Sequence, residues 1–159
     1  MRGFSFILIT FFVLILSCKD EGTLYSSHIE TKGAWLKNEP LKASLEINEG
    51  PIDIYLILKL NEDYPFSNIY LLSNISNPDL KITDTISFKF DYSKNENLLS
   101  RQMRIKTFRI PIYKGMNLTE KTLVEISHAV RFIDSTEPVK KLEGILDVGI
   151  LVNKSNEEI

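Results

Sequence analysis

The chain has 159 residues, 43% hydrophobic and 25% charged, a balance that excludes a disordered tail or a multi-span membrane protein and fits one folded domain. Formal net charge is −2 and the Lys and Arg residues are scattered, which excludes the electrostatic footprint of a nucleic-acid binder. Cys18 is the only cysteine, so it has no partner within the chain for a disulfide.

Arg2 supplies a short positive start, and residues 4–16 (FSFILITFFVLIL) form an apolar run interrupted only by Ser5 and Thr10. That length suits the apolar helix of an export signal; a permanent span needs roughly 20 apolar residues. The run closes on Ile15-Leu16-Ser17-Cys18, which resembles the lipobox of bacterial lipoproteins, with Ile where Leu is usual. The chemistry explains the order. A thiol is nucleophilic enough to take a diacylglyceryl group, and a small Ser17 lets a peptidase reach the adjoining bond. The expectation is a cleaved signal peptide over residues 1–17, and Cys18 as an acylated, palmitate-bearing first residue that anchors the protein to a membrane. The bland alternatives are a chance Cys after a generic signal and an uncleaved anchor. Lys19-Asp20-Glu21 looks like the short signal that sends some lipoproteins to the outside of the outer membrane, and it equally suits a solvated tether over residues 18–23. The expected address is the cell envelope at the outer membrane, with the leaflet left open.

After the tether, residues 24–31 and 41–48 are weak strand candidates. Ile52, Ile54, Leu56, Leu58 and Leu60 then share one face with strict period two. The opposite face carries Asp53, Tyr55, Ile57 and Lys59, which predicts a central strand or one partly covered on both sides. Alternation recurs at Ile69-Leu71, Ile86-Phe88-Phe90, Phe108-Ile110-Ile112, Val124-Ile126-His128-Val130 and Val148-Ile150-Val152. Turns are predicted at residues 61–68, at Asn77-Pro78-Asp79 and at Gly115-Met116-Asn117. No amphipathic helix is evident. The prediction is an all-β fold: an antiparallel β-sandwich of about eight strands, immunoglobulin-like or jelly-roll-like, over residues 24–152. A signal helix precedes it and a frayed polar tail, residues 153–159, follows.

Residues 61–68 are the most informative loop, because Tyr64 and Phe66 flank Pro65. One reading is a rigid hairpin whose aromatics tuck over the sandwich end. The other makes Tyr64, Pro65 and Phe66, together with Trp35, an exposed surface for a protein partner or a sugar ring. Neither His28 nor His128 has a metal-ligand spacing, and His128 falls in the apolar phase of its strand, as a core or rim histidine with a satisfied ring nitrogen would. The same reading is given to His28. Glu62-Asp63 reads as a solvated turn. The glycines form no phosphate-cradling loop and no G-x-S-x-G elbow, so neither a cofactor nor a small-molecule substrate is indicated. Asp84-Thr85-Ile86 and Asp134-Ser135-Thr136 resemble short bacterial O-glycosylation sites, tripeptides that also arise by chance.

The block ILKLNEDYPFSNIYL over residues 57–71, with Ile54-Tyr55-Leu56 before it, resembles the gliding motility lipoprotein GldH family. The likeness continues through Asn77-Pro78-Asp79, Asp84-Thr85-Ile86, His128-Ala129-Val130-Arg131 and Leu142-Glu143-Gly144-Ile145-Leu146-Asp147-Val148-Gly149. The resemblance implies a lipoprotein of Gram-negative gliding bacteria that acts with other gliding-machinery proteins and has no known catalysis. Family members carry a Trp and several Gly residues in the stretch matching residues 93–104. This chain reads SKNENLLSRQMR there, so that loop's role is not carried over. The leading expectation is therefore a non-enzymatic, membrane-anchored component of the gliding machinery, and the alternative is a surface carbohydrate-binding lipoprotein.

Overall fold

A computed structural model describes residues 22–48, 50–91, 98–102, 104–118, 120–132 and 134–155. The expected signal peptide, Cys18 and Lys19-Asp20-Glu21 lie outside the described residues, as do residues 156–159 of the tail. The described chain is all-β and antiparallel. In chain order the strands are β1 (Thr23–Glu30), β2 (Ala34–Leu36), β3 (Leu41–Leu45), β4 (Pro51–Leu60), β5 (Asn68–Ser76), β6 (Lys81–Lys89), β7 (Leu98–Gln102), β8 (Ile105–Asn117), β9 (Thr122–His128), β10 (Lys141–Glu143) and β11 (Ile145–Lys154). Three of them go beyond the expected eight. β2 and β10 are three-residue strands that pair with each other, and β7 lies within the stretch where a loop was expected.

The sheets order as β1-β11-β4-β8-β7 and β3-β9-β5-β6, with β2 and β10 forming a small separate pair. β4 is central, as its two-sided pattern predicts. Its inner residues lie in register with apolar neighbours on both sides: Ile150, Leu56 and Ile110 in one row, Val148, Leu58 and Phe108 in the next. From the facing sheet come Ile69, Leu71 and Ile75 of β5, Val124 and Ile126 of β9, and Leu41, Ala43 and Leu45 of β3, all buried in the same core. Removing each such side chain from water is worth about 1.5–3 kcal/mol, and the period-two pattern collects these gains on one face of each strand.

Two turns differ from expectation. Residues 61–67 carry the chain from β4 in one sheet to β5 in the other, so they form an arch between sheets and not a hairpin. Gly115-Met116-Asn117 is no turn; it lies inside β8, where Gly115 has φ 66° at a register shift opposite Asp53. The extra residue is accommodated because the Gly115 N–H donates to Asp53 Oδ1 (2.9 Å), while the Tyr55 hydroxyl donates to Asp53 Oδ2 (3.1 Å). This is a bulge, and glycine takes the left-handed residue it needs. At the C-terminus, β11 runs to Lys154, two residues beyond the expected limit of the sandwich.

Trp35 is buried at 1% exposure, with its Nε1–H donating to the Glu39 carbonyl (2.9 Å) and its ring meeting His128 edge-on at 5.5 Å. His128 is fully buried, as its strand phase predicts. Contrary to expectation, neither ring nitrogen has a hydrogen-bond partner. Burial and the nearby Lys37 ammonium push its pKa down to about 4, against a smaller opposing influence of the Trp35 backbone. Lys37 itself donates to the His128 carbonyl.

Two predictions follow from this packing. Gly144 has φ 80°, and a Cβ there would stand 2.1 Å from the Tyr64 backbone nitrogen. Gly144→Ala should therefore lose about 3 kcal/mol or more in urea unfolding, from backbone strain plus a clash that only backbone movement relieves. Gly50→Ala, at φ 52° in open space, should lose about 1 kcal/mol. The second concerns pH. Above the ordinary value of 6.5, His128 is neutral in both folded and unfolded chains; between 6.5 and about 4 the unfolded chain binds a proton that the core refuses. Stability should fall as pH drops through that window, by at most about 3 kcal/mol, and this contribution should level off below it. The fall in urea midpoint from pH 7 to 4.5 should be smaller in His128→Leu; equal falls in the two proteins would refute it.

Candidate functional site

The loop that carries the expected interaction residues is built by local hydrogen bonds. Asn61 Oδ1 accepts from the Asp63 N–H (3.0 Å), and Asn61 Nδ2 donates to Asp63 Oδ2 (2.7 Å). This Asx-type turn reverses the chain as it leaves β4. The Gly144 carbonyl accepts from the Asn61 N–H (2.9 Å), and the absence of a side chain on Gly144 lets the Tyr64 backbone sit directly against it. The Tyr64 hydroxyl then donates to the Asn68 carbonyl (2.8 Å), which spans the loop from within.

Tyr64 is 9% exposed, Phe66 is half-buried and Pro65 faces solvent. The aromatics therefore tuck over the sandwich end, and Trp35 belongs to the core instead of joining them at the surface. A run of ring contacts leads outward from the core: Phe108 to Phe90 (4.9 Å between centroids), Phe90 to Tyr64 (5.4 Å), Tyr64 to Phe66 (5.8 Å) and Phe66 to Phe132 (5.5 Å). Offset and edge-on pairs of this kind add about 0.5–1.5 kcal/mol each beyond area burial, so the loop is held rigidly. The outermost ring, Phe132, is 58% exposed.

The sequence does not mark Phe132 as exposed, because it continues the even-numbered apolar phase of Val124, Ile126, His128 and Val130. Its exposure arises from the end of β9 at His128. Val130 still turns inward, its carbonyl accepting from the Val139 N–H (2.8 Å), and Arg131 pairs with Pro138 in an isolated bridge. Phe132 then projects at the tip of the excursion between β9 and β10. Glu62 is exposed and pairs with Arg104 at 3.5 Å; Asp63 is engaged by Asn61. Asp84 Oδ1 accepts from the Thr85 N–H (2.7 Å), and Ser135 bonds within its own turn with Glu137.

The outer face of the five-stranded sheet is the second surface of interest. A shallow groove of about 270 Å³ lies there, lined by Ser26, His28, Ile57, Lys59, Asp147 and Gly149 among others. His28 is thus an exposed face residue and not a core one. Beside the groove, Arg109 lies over the Tyr55 ring at 4.8 Å, and burial together with the Asp53 contact raises the Tyr55 pKa. Among the described residues, no three His, Cys, Asp or Glu side chains gather where they could hold a metal ion, and no helix is long and apolar enough to cross a membrane.

The chain matches the family model described as GldH lipoprotein over residues 23–152. It is 27% identical over 159 residues to the "Gliding motility lipoprotein GldH homolog" of Christiangramia forsetii, an alignment covering 97% of this chain and 98% of the relative. Against the "Gliding motility lipoprotein GldH" of Flavobacterium johnsoniae it is 24% identical over 155 residues, covering 96% and 97%. No solved structure matches. The likeness read from the arch between β4 and β5 and from the β10–β11 region is confirmed along the domain, and the chain belongs to the GldH lipoprotein family.

Proposed function

We propose that the mature protein starts at an acylated Cys18 and works as a non-catalytic, lipid-anchored component of a gliding-motility machinery in the cell envelope, acting through protein contacts. The observation that carries this reading is the end-to-end likeness to two relatives named as gliding motility lipoproteins, joined to the Ile15-Leu16-Ser17-Cys18 lipobox. Two or three acyl chains on one residue give an essentially permanent anchor, since burial of each CH₂ contributes about 0.8 kcal/mol. The outer membrane is the proposed address. The non-catalytic reading draws support from where the reactive side chains sit: His128 is sealed inside the core, and Glu62 and Asp63 are tied up at the surface.

Cys18→Ala should abolish incorporation of labelled palmitate, release the protein from the membrane fraction and stop spreading of a gliding host. Unchanged labelling, or normal spreading by the variant, would count against the proposal. A carbohydrate-binding role is the second reading, and one observation favours it: Phe132 offers an exposed ring of the kind a sugar can stack on. Isothermal titration of the soluble domain with polysaccharides separates the two. Saturable heat that disappears in Phe132→Ala would support the sugar-binding role, and no heat is expected if the protein works through protein contacts.

A further inference from the structure

The two ends of the sandwich differ in what they can reach, because the tether enters at one of them. Thr23 opens β1 beside Asn153 of β11, and the Lys154 N–H donates to the Gly22 carbonyl (2.9 Å). Pro51, Asn117 and the Asn77-Pro78-Asp79 turn lie at the same end: Pro51 pairs with Asn117, and Asn77 Nδ2 donates to Thr122 Oγ1 at the start of β9. Following β4 from Pro51 to Leu60 leads to the opposite end, where the Asn61 N–H meets the Gly144 carbonyl and the arch presents Pro65, Phe66 and, stacked on it, Phe132.

The lengths decide what this means for a chain anchored through Cys18, the reading on which the inference rests. Five peptide steps separate Cys18 from Thr23, a reach of at most about 18 Å. The ten residues of β4 span about 30 Å. The molecule therefore cannot invert and bring its aromatic end to the bilayer while β1 points away. We propose that the end bearing Pro65, Phe66 and Phe132 is held off the membrane as the docking surface for a protein partner, with Phe132 as the anchor that enters an apolar hollow on that partner.

The surround of the patch favours a protein over a lipid surface. Arg131, Arg104, Glu62, Asp63, Asp134 and Glu137 place both charge signs around the aromatic pair, and all six are exposed. An exposed ring within a polar, mixed-charge rim is the usual anatomy of a protein interface. A surface built to meet anionic headgroups carries clustered Lys and Arg, and the four acids here would be repelled.

The test uses the full lipidated chain in two arms. With Cys18 consumed by acylation, an introduced cysteine is the one free thiol. Asp79→Cys and Asp134→Cys therefore each accept a donor dye in vesicles of phosphatidylethanolamine and phosphatidylglycerol carrying a headgroup acceptor. Energy transfer should be strong from position 79 and largely lost at position 134; equal or reversed transfer on floated vesicles overturns the orientation. Protein that fails to float with the vesicles overturns the anchoring itself, a separate outcome. In the second arm, Phe132 is replaced by photoreactive p-benzoylphenylalanine in living cells. The expected product is a discrete protein adduct, suppressed by Pro65→Asp and retained with Leu123→Asp, an exposed apolar residue near the tethered end. Adducts to lipid or to a second copy of this chain, or no adduct, overturn the assignment. Phe132→Asp should lower its thermal midpoint by only a few degrees and still unfold in one cooperative transition, so loss of contact is not loss of fold.

Discussion

The inner ridge of β4 is the constraint on which everything else depends. Ile54, Leu56 and Leu58 have no exposed surface, and each is flanked in register by an equally apolar residue of β11 and, for Leu56 and Leu58, of β8. A strand shifted by one residue would bring Asp53, Tyr55 and Lys59 into that space and expose the entire ridge, so the register is fixed by burial. Ion pairs do comparatively little. Lys121 and Glu46 at 2.8 Å, like Arg104 and Glu62, stand in solvent, where water and salt screen such pairs.

Under the proposed anchoring, a body locked in this way acts as a spacer. Its long strands separate the end where the chain enters from the end where the arch and the β9–β10 excursion emerge, and the aromatic run from Phe108 to Phe132 ties the outer end back to the core. Position is then transmitted through a stiff element and not through a flexible one. The tight seat of Tyr64 against Gly144 serves the same purpose, because it prevents the arch from swinging between the sheets.

How much of this the sequence discloses depends on the range of the interaction concerned. Residues 52–60 and 148–152 are legible because half-burial writes period two directly into neighbouring positions. His128 is legible as a core residue for the same reason, whereas the depression of its pKa depends on burial and on Lys37, far off in the chain. β2 and β10 are too short to show any period, and Trp35 meets partners distant in the chain, Leu142 across the ladder and the His128 ring. Gly115 illustrates a different ambiguity. A glycine before Met-Asn serves a turn or a bulge equally well, and the choice rests on Asp53 lying across the ladder to accept its N–H. The arch over residues 61–67 has a loop length that a hairpin also uses, so nothing local distinguishes staying in one sheet from crossing to the other. Phe132 keeps the phase of a strand that has already ended.

The sheet edges bear on which surfaces remain for contact. A lipid-anchored sandwich is concentrated in two dimensions, and open edges would invite pairing between copies. Each edge here is blunted. β6 sets Asp84 in its inward phase opposite buried Ser73 and ends in Lys81 and Lys89; β3 is five residues long, with Lys42 paired to Glu125 at 3.4 Å. On the other sheet, β1 and β7 both carry register shifts, between Thr23 and Tyr25 and between Leu98 and Ser100. Such irregularities break the regular ladder of donors and acceptors that an added strand would need. With lateral pairing disfavoured, the loop-built ends are the surfaces left open for contact, and under the proposed Cys18 anchor the end at Thr23 is the one turned toward the membrane.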